Sequence, residues 1–179
     1  MKYFKKIVGE RLYLSPINTE DNLLFCKWLN DNSTSDGLNK TKDIVTIENE
    51  MDYLTDVTKN GKYQFSIVDM ETDTLIGTCG FNQIDHINQN CEVGIFIGEE
   101  SKRSQGYGGE ALNLLLDYGF NTLNFHNIRL GVYSFNERAL ACYKKAGFKE
   151  IGRIREVRYF NGKRCDLILL DILKDEFYN

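Results

Sequence analysis

The 179-residue chain contains a single proline, Pro16, and only two histidines, His86 and His126. No stretch rich in proline, glycine or serine separates patterned segments, so nothing marks a linker. There is no internal repeat either. The reading is one domain over residues 1–179, long enough to bury a substantial core. Long apolar runs are missing as well. Lys2, Lys5 and Lys6 are followed only by Ile7-Val8 before Gly9-Glu10-Arg11, which is no signal peptide, and no segment has the length and apolarity of a membrane span. The five cysteines (Cys26, Cys79, Cys91, Cys142 and Cys165) are odd in number and include no C-x-x-C pair. That excludes a disulfide framework and a zinc knuckle and points to a reduced, cytoplasmic compartment. An excess of positive charge is also absent. Twenty-two Lys and Arg against 26 Asp and Glu leave a formal charge of -4. This argues against a nucleic-acid partner and is compatible with a cationic substrate such as an amine. The two histidines lie at turn-like positions, and no metal site is expected.

What is present is alternating and helical patterning. Arg11 to Ile17 alternates as a first strand. A helix capped by Thr19 is expected through Asp31, with Leu23, Leu24, Trp28 and Leu29 as its apolar face. Asn32 to Lys42 reads as a polar loop, and Thr46 to Thr58 as a second helix with Ile47, Met51 and Leu54 on one side. Strands follow at 63–68, 74–81 and 91–98, with polar turns at 71–74 and 85–90. Ala111, Leu114, Leu115 and Tyr118 mark a helix over 108–121. A strand at 128–132 precedes another helix over 136–146, closed by Gly147. Two last strands, 152–160 and 164–172, are joined at Asn161-Gly162, a hairpin signal. The order predicts an α/β (α+β) fold: a mixed, mostly antiparallel central sheet of about seven strands flanked by about four helices.

Between the third of these central strands and the 108–121 helix lies Arg103-Ser104-Gln105-Gly106-Tyr107-Gly108-Gly109. Three glycines allow positive φ and close approach of a ligand. Free N–H groups at a helix start, helped by the helix dipole, suit a pyrophosphate, to which Arg103 can add charge. A turn that merely needs glycines is the alternative. The segment is neither a P-loop, which needs Gly-Lys-Ser/Thr, nor the three-glycine dinucleotide fingerprint, since its glycines are spaced too tightly.

At this point the chain resembles a known family. Arg103-x-x-Gly106-x-Gly108 is similar to the acyl-CoA loop of the GCN5-related N-acetyltransferases, Gln/Arg-x-x-Gly-x-Gly/Ala. Asn136-Glu-Arg-Ala139-Leu-Ala-Cys-Tyr143-Lys-Lys-Ala-Gly147-Phe148 resembles the family's next helix. Cys91-Glu92-Val93-Gly94-Ile95 and the 155–166 segment resemble the RimJ/RimL-like branch. The match runs in order over roughly residues 74–175. Two departures are visible: Ser104 stands where glycine is common, and no proline precedes the loop.

The resemblance implies transfer of an acetyl group from acetyl-CoA to a primary amine, by direct attack in a ternary complex and without a metal. It implies that Arg103, Ser104, Gln105, Gly106, Tyr107, Gly108 and Gly109, with Asn136 and Ala139, bind the cofactor. It also implies that the backbone of Ile95, Phe96 and Ile97 pairs with the pantetheine arm. Tyr143 is implied as general acid toward the departing thiolate; from periodicity alone it is equally a core residue. Glu92, a carboxylate in an apolar strand, is implied as general base; a structural salt bridge or an exposed edge is the alternative. A base matters most for acceptors of high pKa. At pH 7 an α-amino group of pKa about 8 is roughly a tenth neutral, whereas a lysine-like amine is neutral only about once in two thousand molecules. Acceptors consistent with this are a protein N-terminus or a small-molecule amine. A spermidine-type enzyme and a non-catalytic acyl-CoA sensor on the same fold are the alternatives. Asn88–Glu92 and Asp117–Asn124 resemble the spermidine branch, but the acidic residues of 25–60 are scattered. Asn136 also reads as a helix cap. Asp166 and Arg158 are assigned to the acceptor side from the tail resemblance. Relatives often dimerise, so a homodimer is an implied partner, while nucleic acid and membrane are not.

Overall fold

The computed structural model describes residues 2–38, 40–60 and 63–178. Eight strands form one sheet in the order β1-β2-β3-β4-β5-β6-β8-β7: β1 Ile7–Val8, β2 Leu12–Pro16, β3 Gln64–Asp69, β4 Leu75–Asp85, β5 Asn90–Ile97, β6 Asn127–Tyr133, β7 Lys149–Phe160 and β8 Lys163–Leu173. The described helices are α1 Asn22–Leu29, α2 Asn32–Ser35, α3 Ile47–Lys59, α4 Tyr107–Asp117, α5 Glu137–Lys145 and α6 Lys174–Phe177. The expected α/β architecture with a mostly antiparallel sheet is therefore present. The additional elements are short: two-residue β1 and four-residue α2 and α6. Contacts divide the chain into two compact units, Met1–Gly80 with Ile95–Leu114, and Phe81–Gly94 with Leu115–Asn179.

In the first unit, β1 to β4 pair antiparallel in sequence order. Tyr3, Tyr13, Phe25, Trp28, Leu54, Val68 and Leu75 form its buried cluster, with Phe96 packed against it. The start of α1 departs from expectation. The Asn18 carboxamide, in extended backbone, accepts the Glu20 N–H at 3.0 Å and starts a 3-10 turn over Thr19–Asp21. The α-helix proper begins only at Asn22; Phe25, Cys26 and the expected Trp28 are buried, the expected Leu24 packs against the cluster, and Leu23 is exposed. The expected loop after it contains α2, because the Asp31 carboxylate accepts the Ser33 N–H at 2.9 Å as an N-cap. In α3, capped by Thr46, the inward residues are Glu50, Leu54 and Val57, spaced i, i+4, i+7; Ile47 is exposed.

In the second unit, β5 and β6 pair in parallel over three residues, Asn90–Glu92 against Asn127–Arg129. Antiparallel β6–β8 and β8–β7 ladders complete it. The hairpin turn behaves as its sequence signals, with φ of +47° at Asn161 and +78° at Gly162. Helix α4 ends in a π turn over Tyr118–Thr122, where a Cβ at Gly119 would stand 2.7 Å from the Phe81 ring. Gly147 closes α5 at φ +98°. Among the described residues no helix is long and apolar enough to cross a membrane, and all five cysteines are free.

Candidate active site

The site residues expected from the sequence fall on both units. Ile95, Phe96, Ile97 and Arg103–Gly109 belong to the first; Glu92, Asn136, Ala139 and Tyr143 belong to the second.

In the first unit, the end of β5 is pinned to β4. Ile76 O accepts both the Gly98 N–H at 2.9 Å and the Glu99 N–H at 3.1 Å. Gly98 lies so close to the Trp28 indole that a Cβ would overlap the ring, and a Cβ at Gly77 would overlap Phe96 O. Phe96 meets the edge of Trp28 at 6.2 Å between centroids. A 3-10 turn over Glu100–Lys102, capped by Glu99, leads into the glycine-rich loop.

Arg103 braces that loop. Its Nε donates to Ile97 O (2.9 Å), Nη2 to Gly98 O (2.8 Å) and the Thr34 hydroxyl (2.6 Å), and Nη1 to the Ser33 hydroxyl (2.9 Å). Its guanidinium is therefore engaged by β5 and α2. Ser104 (φ +59°) and Gly106 (φ +89°) both take left-handed conformations before α4 begins at Tyr107. The position where a glycine is common thus carries a serine in a conformation glycine favours. The first helical bond runs from Glu110 N–H to Gly106 O. Among the described residues the six N–H groups from Ser104 to Gly109 have no hydrogen-bond partner. A run of unpartnered amides opening a helix is a concave donor array suited to an anion. The residues present therefore fit a pyrophosphate.

Four residues that support this loop carry no signal in the sequence. Arg11 donates from Nη1 to Gln105 O at 3.0 Å and lies 4.5 Å from the Tyr107 ring centroid. Glu110 holds Arg11 through Nε at 3.1 Å and accepts the N–H groups of Glu10 and Arg11. Beneath the loop, buried Asp69 accepts from Lys102 Nζ at 2.7 Å, the Tyr107 hydroxyl at 2.9 Å and the Thr72 N–H at 3.0 Å. Burial alone would raise the Asp69 carboxyl, but these donors outweigh it and hold it well below the usual carboxylate range.

In the second unit, Asn136 caps α5 by accepting the Ala139 N–H at 3.2 Å. That satisfies the cap reading of Asn136 and places Ala139 in the first helical turn. Tyr143, two turns along, is half-buried and meets the edge of Phe148 at 5.9 Å. Burial pushes its phenol up to about 12, with Cys142 a smaller contributor. Among the described residues its hydroxyl has no hydrogen-bond partner. Glu92 forms an ion pair with Arg129, Oε1 to Nε at 3.6 Å, and both side chains are about a third exposed. Of the residues assigned to the acceptor side, Asp166 accepts the Glu156 N–H at 2.9 Å in the β7 bulge, and Arg158 stacks over Tyr133, Phe135 and Phe160. His86 is an exposed turn residue stacked on Phe125. Among the described residues no three His, Cys, Asp or Glu side chains are grouped to hold a metal.

Residues 11–149 match the family described as an acetyltransferase (GNAT) domain. An uncharacterized N-acetyltransferase p20 from Bacillus licheniformis is 31% identical over 171 residues, covering 94% of this chain and 96% of its own length, so the similarity is of whole chains. A spermidine N(1)-acetyltransferase from Vibrio cholerae is 32% identical over 120 residues, 67% of this chain and 68% of that one. The crystal structure of spermidine N-acetyltransferase from Vibrio cholerae in complex with CoA and spermine superposes with a TM-score of 0.84 at 25% identity, covering 96% of this chain and 100% of the other.

Proposed function

The chain belongs to the acetyltransferase (GNAT) domain family and is an acetyl-CoA-dependent N-acetyltransferase; from that premise we propose which residues hold the cofactor, which move protons, and what class of amine is acetylated. The observation that carries the reading is the run of six unpartnered N–H groups from Ser104 to Gly109 at the head of α4. They cradle the pyrophosphate, with Arg103 fixing the loop rather than reaching the ligand with its side chain. The backbone of Ile95, Phe96 and Ile97 pairs with the pantetheine arm, and Asn136 and Ala139 at the start of α5 contribute further contacts.

Acetyl-CoA supplies an activated thioester. The protein must provide a neutral amine, donors for the carbonyl oxygen as charge develops there, and a hydrogen-bond donor for the departing sulfur. Tyr143 is the donor to sulfur. With its phenol near 12 it is protonated throughout the physiological range. A thiol has a pKa of about 8.5, so complete transfer from this phenol is uphill, and the residue acts chiefly by hydrogen bonding to the thiolate as it forms. Glu92 takes the amine's proton, directly or through water, and the ion pair with Arg129 positions its carboxylate. The amide groups at the end of β5 serve the oxyanion.

The acceptor is a primary amine, either a protein N-terminus, as in the RimJ/RimL-like branch, or a small molecule. The polyamine reading has its own support in the likeness to Vibrio cholerae spermidine N-acetyltransferase. A thiol-release assay with acetyl-CoA and parallel panels of N-terminal peptides and polyamines tests the proposal. Turnover restricted to polyamines rejects the peptide reading. CoA binding with no turnover on either panel makes the chain a sensor and rejects the roles of Tyr143 and Glu92.

A further inference from the structure

We propose that the Arg11 guanidinium is a phosphate ligand for bound CoA, supplying at the glycine-rich loop the positive charge that the Arg103 side chain turns away from it. The inference rests on the reading that this loop binds CoA. The motif arginine does not serve the purpose: Arg103 spends Nε, Nη1 and Nη2 on two backbone carbonyls and two hydroxyls. Arg11 stands in the complementary position. Its Nη1 reaches Gln105 O, and its Nη2 comes within 3.0 Å of where a Cβ on Gly106 would stand. Gly106 therefore has two reasons to be glycine: its φ of +89°, and a guanidinium occupying the space a side chain would need.

Arg11 is also held in place. The Tyr107 ring lies against one face of the guanidinium and Glu110 takes Nε. Among the described residues Nη2 donates to no protein atom, and the side chain is 47% exposed. A planar, immobilised guanidinium with unused N–H groups beside a row of free amides is the arrangement that recognises phosphoryl oxygens, and little side-chain freedom remains to be lost on binding. The Glu110 carboxylate does not compete for that role, since Oε1 is taken by two backbone N–H groups and Oε2 by Arg11 Nε. The phosphoryl group contacted belongs either to the pyrophosphate or to the 3′-phosphate of CoA.

Titration calorimetry on the full chain decides the matter, with CoA and dephospho-CoA each titrated into wild type and R11Q. The expected result is CoA binding at least about tenfold weaker in R11Q, the loss associated with one charge-assisted contact, and a difference that shrinks as salt is raised. A loss seen with CoA and not with dephospho-CoA assigns the contact to the 3′-phosphate; an equal loss with both assigns it to the pyrophosphate. Equal CoA affinity in wild type and R11Q overturns the proposal, as does a loss that salt leaves unchanged, which would mark Arg11 as a brace. Failure of the wild type to bind CoA instead removes the loop reading, and the Arg11 contact with it. Should R11Q not fold, R11K keeps a positive charge at this position and removes the planar fork of N–H donors. CoA binding several-fold weaker than wild type is then expected, and unchanged or tighter binding overturns the proposal.

Discussion

Glu92 and Arg129 are direct partners in the parallel β5–β6 ladder, and their side chains meet at 3.6 Å. Arg129 donates onward to Asn90 Oδ1 at 2.7 Å and to Gln83 Oε1 at 3.3 Å, so its cation is fixed rather than loosely paired. R129Q, which removes the ion-pair partner of Glu92, is expected to lower kcat/KM. E92Q is expected to lower turnover most for acceptors of high pKa, which depend most on a base. A pH-rate series with a peptide α-amine and an alkyl amine checks both. Unchanged turnover in both R129Q and E92Q removes Glu92 from the chemistry.

Tyr143 gives a prediction of the opposite kind. Its phenol, raised to about 12 by burial, stays protonated across any workable assay range. Turnover should show no falling limb from Tyr143 below pH about 11, and Y143F should lower kcat by at least about tenfold with CoA affinity kept. Calorimetry and thiol release measure the two quantities separately. A limb near pH 9 that disappears in Y143F would contradict the burial argument.

Ser104 occupies left-handed backbone, φ +59°, at a cost of about 1 kcal/mol for a residue with a Cβ. S104G relieves that strain but frees the unfolded chain, so its thermal midpoint should stay level or rise slightly. S104V, β-branched in the same conformation, should destabilise the loop by about 1–2 kcal/mol and weaken CoA binding. Thermal melts and calorimetry on both variants test this; CoA binding in S104V equal to wild type would show that the loop does not need this backbone.

Glu50 is 5% exposed on the inner face of α3, and burial raises its carboxyl, with Lys40 only partly opposing. A raised folded pKa stabilises the fold below the unfolded value of about 4.3, and that contribution is lost as pH rises through the folded value. Wild-type melting temperature should therefore fall from pH 4 toward neutrality by more than that of E50Q. Parallel slopes in the two proteins would show that Glu50 carries no such penalty.

These residues mark what the sequence could and could not reveal. Helices α4 and α5 were legible because their apolar spacing, the Asn136 cap and Gly147 all agree, and the β7–β8 turn was legible from Asn161-Gly162. On α1 the expected Trp28 is buried and Leu24 packs against the core, but Leu23 is exposed and Phe25 and Cys26 turn inward, a choice of face that tertiary packing makes. The interior position of Glu50 was hidden because a carboxylate at helical spacing reads as solvent-facing. The loop itself was visible, but its supports were not. Arg103 binds Ser33 and Thr34, and Arg11 binds a glutamate 99 residues away, pairings that only tertiary structure brings about.

The central claim is that the free amides from Ser104 to Gly109 hold the cofactor's pyrophosphate. Hydrogen exchange of the backbone amides, measured with and without CoA, tests it most directly. The account predicts strong slowing of exchange at residues 104–109 on saturation with CoA. Saturated CoA binding with exchange at these six positions unchanged would contradict it.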